Sequence, residues 1–321
     1  MLHWRGPDDV PADWGRSVVA VGVFDGVHRG HQAVLAAAAG RAAAEGLPMV
    51  VVAFDPHPDA VLRGAAPAVL TPPERRDALL AAHGADAVCV LDFTPGFAAT
   101  PAEDFVRQVL VDLLHAEAAV VGADFRFGAA AAGDVGLLRT LGDKAGLAVD
   151  AVPLVADGPA ATAVSATLIR ERVAAGDVEA AAALLGRPHR VGGVVVRGFA
   201  RGRDLLGFPT ANLDLPPGLA VPADGVYAGR LLHTGPAPGA EDQWPCAISV
   251  GTNPTFDGPD RTVEAYALDR DDLELYGAPM AVDFVRRIRG QERFDSVEEL
   301  ITAMDRDVAT ARRMLAGGSP G

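Results

Sequence analysis

Hydrophobic positions fall into two rhythms along this chain. Through about the first 155 residues, short and nearly continuous apolar runs (residues 18–23, 49–54, 86–91, 118–121 and 147–155) alternate with longer segments of helical periodicity. Residues 104–115 are one such segment, with Phe105, Val109, Leu113 and Leu114 on one face. Val-rich runs without alternation are what strands buried on both faces show, so this half predicts a parallel sheet with right-handed helical crossovers. Thr71-Pro72-Pro73-Glu74 and Thr100-Pro101-Ala102-Glu103 read as helix starts, with the threonine as N-cap and the glutamate closing a capping box. Further helices are expected over 136–145, 167–175 and 177–185, the last two separated by Gly176 with Asp177 as cap.

The rhythm changes at Gly186-Arg187-Pro188. Beyond it, short β-rich runs at 190–196, 210–215, 225–233, 245–250, 262–268 and 280–287 are separated by Gly, Pro and Asp, with no helical segment between them. Six strands at that spacing predict a closed antiparallel β-barrel. A terminal helix is expected from Ser296 to about residue 315, with Glu298 and Glu299 in its first turn. The expected domains are therefore residues 1–186 and 187–321, and the Pro- and Gly-rich stretch 234–244 is expected to be a mobile loop.

Composition narrows the classes. The 321 residues suffice for two cores. Half of them are hydrophobic, yet no apolar run reaches membrane-spanning length, and residues 1–10 lack the apolar core of a signal peptide. Cys89 and Cys246 lie far apart in strand-like contexts, which predicts buried free thiols and a cytoplasmic location. A net charge of −14 disfavours non-specific binding to nucleic acid or to anionic membrane. Small-molecule substrates are expected instead, with at most weak self-association.

Candidate chemistry starts at the first strand. Phe24-Asp25-Gly26-Val27 makes a turn after residues 18–23, and His28-Arg29-Gly30-His31 opens a helix. Two imidazoles three residues apart share a helix face, beside free backbone N–H groups and the positive end of the helix dipole. Such a strand–turn–helix suits the phosphates of a nucleotide. Two later clusters are expected at the same sheet edge. One is 122–128, with Asp124 and Arg126; the other is 164–170, where Ser165, Thr167 and Arg170 offer two hydroxyls and a guanidinium.

Over residues 17–185, F-D-G-V-H-R-G-H and these clusters together resemble the HxGH nucleotidyltransferases, specifically the adenylyltransferase half of bacterial FAD synthetases. The resemblance implies a Rossmann-like domain that transfers AMP from ATP to FMN and releases pyrophosphate. His28 and His31 would then be catalytic, with Phe24, Asp25, Gly26, Gly30, Asp124, Arg126, Ser165, Thr167 and Arg170 at the nucleotide. Two departures stand out: Ala166 replaces a family hydroxyl, and Ala129–Ala132 stand where basic residues are common.

In the second half, Gly198, Arg201 and Gly202 form a basic glycine loop, followed by Gly207-Phe208-Pro209-Thr210-Ala211-Asn212. Thr210 and Asn212, two apart on an extended segment, point the same way and present neutral oxygens suited to Mg²⁺. With Gly251–Phe256 and Arg261-Thr262-Val263-Glu264, residues 187–315 resemble riboflavin kinase. That resemblance implies ATP and riboflavin as substrates and Glu264 as general base, with Gly198, Arg201, Gly202, Phe208, Pro209, Thr210 and Asn212 at the nucleotide. Ala200 stands where the family often has Gly. The function expected is FAD formation from riboflavin by way of FMN. The alternatives are a riboflavin kinase with an altered first domain and a flavin-binding regulator without turnover.

Overall fold

The computed structural model describes residues 1–158, 162–196, 210–235, 243–252, 261–270 and 272–316. Contacts divide the chain into two units, Met1–Ala166 and Thr167–Gly321. The division falls ahead of the change in sequence texture at residue 186, because the helix pair expected before that point folds with the barrel.

The first unit runs β1 (Leu2–Arg5), β2 (Ser17–Val21), α1 (Arg29–Glu45), β3 (Met49–Asp55), α2 (Pro58–Leu62), α3 (Pro73–Ala82), β4 (Ala87–Asp92) and α4 (Pro95–Ala98). It continues through α5 (Ala102–Phe105), which passes into a π-helix over Val106–Leu113, then β5 (Ala116–Gly122), α6 (Val135–Ala145), β6 (Ala148–Val152) and a small hairpin of β7 (Ala156–Asp157) and β8 (Thr162–Ala163). The parallel sheet has the order β1-β4-β3-β2-β5-β6. Both of its faces are covered, as the apolar runs require. Val18 and Ala20 pack on one side with Leu35, Ala38, Leu79 and Leu80, and Val19 and Val21 on the other with Phe105, Leu110 and Leu138. Strand order reverses between β2 and β5, so the loops leaving their carboxyl ends diverge and open a crevice.

Local details differ from the sequence expectation at several points. Helix α3 starts at Pro73 with Pro72 as N-cap, and Thr71 is buried before it, its N–H donating to Asp25 Oδ1 at 3.0 Å. Pro101, not Thr100, precedes α5, and neither of these helices has a side-chain cap. Proline at the N-cap can offer no side-chain acceptor, so its fixed φ alone starts the turn. The strand expected over 147–155 ends at Val152, and the chain then turns into β7–β8. β1 was not expected; its four residues, LHWR, are too short and mixed to show a period, and they are placed by parallel pairing with β4.

In the second unit, α7 (Ala166–Ala174) and α8 (Val178–Leu185) precede β9 (His189–Val196), β10 (Ala211–Asp214), β11 (Gly225–His233), β12 (Gln243–Thr252), β13 (Arg261–Ala267), β14 (Pro279–Arg289) and α9 (Val297–Ala316). The six strands close as β10-β13-β12-β11-β14-β9, every pair antiparallel. Alternate residues fill the interior, among them Val195, Leu213, Tyr227, Ile248, Val250, Val263, Ala265 and Phe284. On the outside, α9 covers Ala228, Ala247, Tyr266, Leu268 and Ile288. A bidentate pair between Arg289 and the buried Asp307 anchors that helix. Arg287 ties the helix pair to the barrel, donating to Ala175 O and to Asp224 O.

Among the described residues, no helix is long and apolar enough to cross a membrane. Cys89 and Cys246 are buried free thiols; burial pushes Cys89 up to about 12 and Cys246 higher still.

Candidate active sites

The turn after β2 is tightly specified. Phe24, Gly26 and Val27 all have positive φ (55°, 81° and 39°), a sequence of left-handed residues that turns the chain sharply toward α1. The buried Asp25 carboxylate accepts the backbone N–H groups of Leu70 and Thr71 at 3.0–3.2 Å, so it clamps the loop that leads into α3. Asp25 is thus an architectural member of the motif in this structure. Its replacement by alanine strands two buried N–H donors. The expected cost is about 1–3 kcal/mol, read as a lowered midpoint in chemical denaturation.

His28 is the N-cap of α1, and its Nδ1 accepts the His31 N–H at 3.3 Å. That bond makes Nδ1 the acceptor, so in the neutral ring the proton sits on Nε2. The His31 ring stacks on His28, centroids 3.7 Å apart and planes 17° apart, and tilts against Phe24 at 5.1 Å. His31 Nδ1 is buried without a hydrogen-bond partner. Burial, and secondarily the neighbouring His28, hold the His31 pKa well below the usual histidine value. Gly30 sits in close approach: a Cβ there would stand 3.1 Å from the His28 ring and 3.5 Å from Val164 O.

The loop after β5 leaves the strand beside β2, across the switch point. Asp124 is exposed there, its Oδ1 3.0 Å from where a Cβ on Gly122 would lie. Arg126 pairs with Asp134, the N-cap of α6, at 3.5 Å. Phe125 and Phe127 stack at 5.5 Å, and a chain of aromatic contacts continues from Phe127 through Phe105 and Phe97 to Phe54 and Phe93. This apolar shelf beside the crevice is a feature that the motifs did not announce. Its phenylalanines come from the end of β3 and from the β4–β5 and β5–β6 connections, and only the fold gathers them. Ala129–Ala131 form one tight turn. Ser165 stands just before α7, and Thr167 and Arg170 lie one turn apart on that helix.

On the barrel, register places Asn212 of β10 directly opposite Glu264 of β13, and Glu264 opposite Ser249 of β12. Their chain neighbours Ala211, Leu213, Ile248, Val250, Val263 and Ala265 fill the interior, so this polar row is on the outer face. The Thr210 hydroxyl donates to the Glu264 carboxylate, and Asn212 Nδ2 lies 3.3 Å from both Thr210 O and Thr210 Oγ1. Burial raises the Glu264 pKa, the Thr210 hydrogen bond opposing it. Gly198, Ala200, Arg201, Gly202, Phe208 and Pro209 lie outside the described residues, as do residues 253–256 and most of 234–244.

Comparison with known proteins adds to this geometry. The family model for FAD synthetase matches residues 10–167, and that for riboflavin kinase matches 185–315. A bifunctional riboflavin kinase/FMN adenylyltransferase of Escherichia coli K12 is 36% identical over 304 residues, covering 94% of each chain. The protein of that name from Bacillus subtilis is 33% identical over 313 residues, covering 95% of this chain and 94% of its own. The chain belongs to the bifunctional riboflavin kinase/FMN adenylyltransferase family. Both domains of that family are present in it. The FAD synthetase match ends within one residue of the boundary between the two units, and most of the α7–α8 pair falls between the two matches. A crystal structure described as a macrolide-efflux protein from Streptococcus pneumoniae is 32% identical, with a TM-score of 0.86 over 97% of this chain and 99% of that one. The likeness to that structure therefore extends over both domains.

Proposed function

We propose that the chain makes FAD from riboflavin in two ATP-dependent steps, each on its own domain. The observation that carries the kinase step is the row Thr210–Asn212–Glu264. A carboxylate of raised pKa, next to neutral oxygens on a partly buried outer face, can take a proton from an alcohol. Glu264 accepts the proton of the riboflavin 5′-hydroxyl as that oxygen bonds to the γ-phosphorus of ATP. The bond from γ-phosphorus to the bridging oxygen breaks, and ADP leaves with FMN as the other product.

A magnesium ion fits the donor chemistry, since hard oxygens from Thr210 and Asn212 leave room for the water and phosphate ligands it prefers. Bound there, it would offset charge on the nucleotide phosphates. Among the described residues, no cluster of three His, Cys, Asp or Glu side chains could hold a metal. A two-residue neutral site that depends on the substrate for its remaining ligands agrees with that.

In the first domain the FMN phosphate oxygen attacks the α-phosphorus of ATP, and pyrophosphate departs. No covalent enzyme intermediate is needed. In this reading His28, in the tautomer that its Nδ1 bond favours, is the imidazole donor to phosphate oxygens, and His31 stays neutral in its stack. Asp124 and Ser165 complete the nucleotide surface of this domain in this reading. The acidic composition and the buried unpaired thiols support a cytoplasmic setting without nucleic-acid partners.

Incubation with riboflavin, ATP and Mg²⁺, with the flavins resolved by chromatography over time, tests the whole scheme. FMN should rise first and FAD follow. FMN that accumulates without FAD would leave the kinase alone standing, and unchanged riboflavin would remove both steps.

A further inference from the structure

The polar row on the barrel continues past Glu264 to residues that no step above uses. Ser249 is the cross-strand neighbour of Glu264 on β12, on the side away from Thr210 and Asn212. Gln291, two residues beyond β14, reaches back over this face. Its Nε2 donates to Ser249 Oγ at 3.3 Å and to Val250 O at 2.9 Å. Gly251 leaves space for that amide, since a Cβ there would stand 3.3 Å from Gln291 Nε2.

The hydrogen-bond inventory of this pair is incomplete in a specific way. Ser249 Oγ accepts from Gln291, yet its own proton reaches no acceptor among the described residues, and Gln291 Oε1 receives no donor from them. Gln291 is held by two bonds through its nitrogen, so its carbonyl oxygen is presented in a fixed orientation. Beside the base there is therefore one placed donor and one placed acceptor. A hydroxyl group, which both donates and accepts, is the ligand chemistry that matches this set.

Resting on the kinase reading above, we propose that Ser249 and Gln291 determine specificity for a polyol acceptor, binding the side-chain hydroxyls that neighbour the one being phosphorylated. Adjacent strands lie about 4.8 Å apart. With the terminal hydroxyl at Glu264, the next hydroxyls of an extended polyol fall within one strand spacing, over β12. The phosphates approach from the opposite side, over Thr210 and Asn212. The row thus sets the direction of the acceptor chain as well as its identity.

The test compares two acceptors on the full-length protein with ATP and Mg²⁺: riboflavin, and a flavin whose N10 substituent is a 5-hydroxypentyl chain with only the terminal hydroxyl. Ser249→Ala and Gln291→Met should each lower kcat/KM for riboflavin about tenfold, the equivalent of one well-made hydrogen bond. They should leave kcat/KM for the hydroxypentyl flavin within about twofold of the unaltered protein, so the preference for riboflavin collapses. Gln291→Glu, which keeps an acceptor oxygen, should retain more of that preference than Gln291→Met. An equal fall on both acceptors would overturn the assignment, because it would mark a structural support of the barrel or of Glu264. Unchanged discrimination in both variants would overturn it as well. If the unaltered protein phosphorylates neither flavin, the kinase reading itself fails, and that outcome is separate from the other two.

Discussion

Glu264→Gln should sharply slow FMN formation from riboflavin while the conversion of supplied FMN to FAD continues at its original rate. The amide keeps the size of the side chain and its place opposite Asn212 and Ser249, but it cannot take a proton. General-base assistance contributes on the order of 10²- to 10⁴-fold to a proton transfer of this kind, and the loss should fall in that range. The pH profile supplies a second readout. Glu264 must be ionised to act, and burial raises its pKa against the smaller opposing effect of Thr210. The kinase rate should therefore decline as pH falls, with its midpoint above the ordinary glutamate value, and Thr210→Val should move that midpoint higher. Chromatographic time courses at a series of pH values read both effects. A concerted loss of both steps in a folded Glu264→Gln protein would show that the two sites are not independent.

The two candidate sites were legible in the sequence to different depths, and the reasons are physical. The switch-point site could be found because its geometry is local. The strand end at Val21, the left-handed residues at 24, 26 and 27, and the helix cap at His28 all lie within eight consecutive positions. Glu264 was legible from a motif, but its neighbours were not. Ser249 lies 15 residues before it and Gln291 lies 27 after, and only strand register and the reach of Gln291 over β12 bring them together. The phenylalanine shelf of the first domain was hidden in the same way.

Fold class followed from patterning because continuous apolar runs and short β-rich runs have few physical solutions at these lengths. What patterning misread were helix starts. A threonine ahead of two prolines looks like an N-cap, but at Thr71 the tertiary demand prevails: its N–H is taken by Asp25, 46 residues earlier. The texture change at 186 marks where β-rich sequence begins, whereas α8 packs on the barrel, with Glu179 bonded to Arg286 at 2.8 Å.

The second large effect is expected at His28, where capping and phosphate binding can be separated. His28 Nδ1 caps α1, and a cap deleted to alanine costs on the order of 1 kcal/mol, which would confound any loss of activity. Asparagine avoids this, since it is among the best N-cap residues and its side-chain oxygen can accept the His31 N–H in place of Nδ1. It does not carry a donor where Nε2 stands. His28→Asn should therefore unfold near the original temperature yet lose FAD formation by roughly 10²- to 10³-fold, the usual scale for one preorganised donor to a developing phosphate charge. FMN made by the barrel from riboflavin should then accumulate. The neutrality of His31 adds a sign to the pH dependence of stability. Its pKa in the folded chain lies below the unfolded value, so the stability it contributes is full above that value and is lost as pH falls through the folded one. Bound nucleotide phosphates stabilise a protonated imidazole, so ATP should flatten that acid loss in the original protein. In His28→Asn, with a weaker phosphate site, ATP should flatten it less. Thermal melts with and without ATP across the acid range measure this directly. Wild-type FAD formation by His28→Asn, with an unaltered ATP effect, would remove His28 from the adenylyl step and leave it only the helix cap.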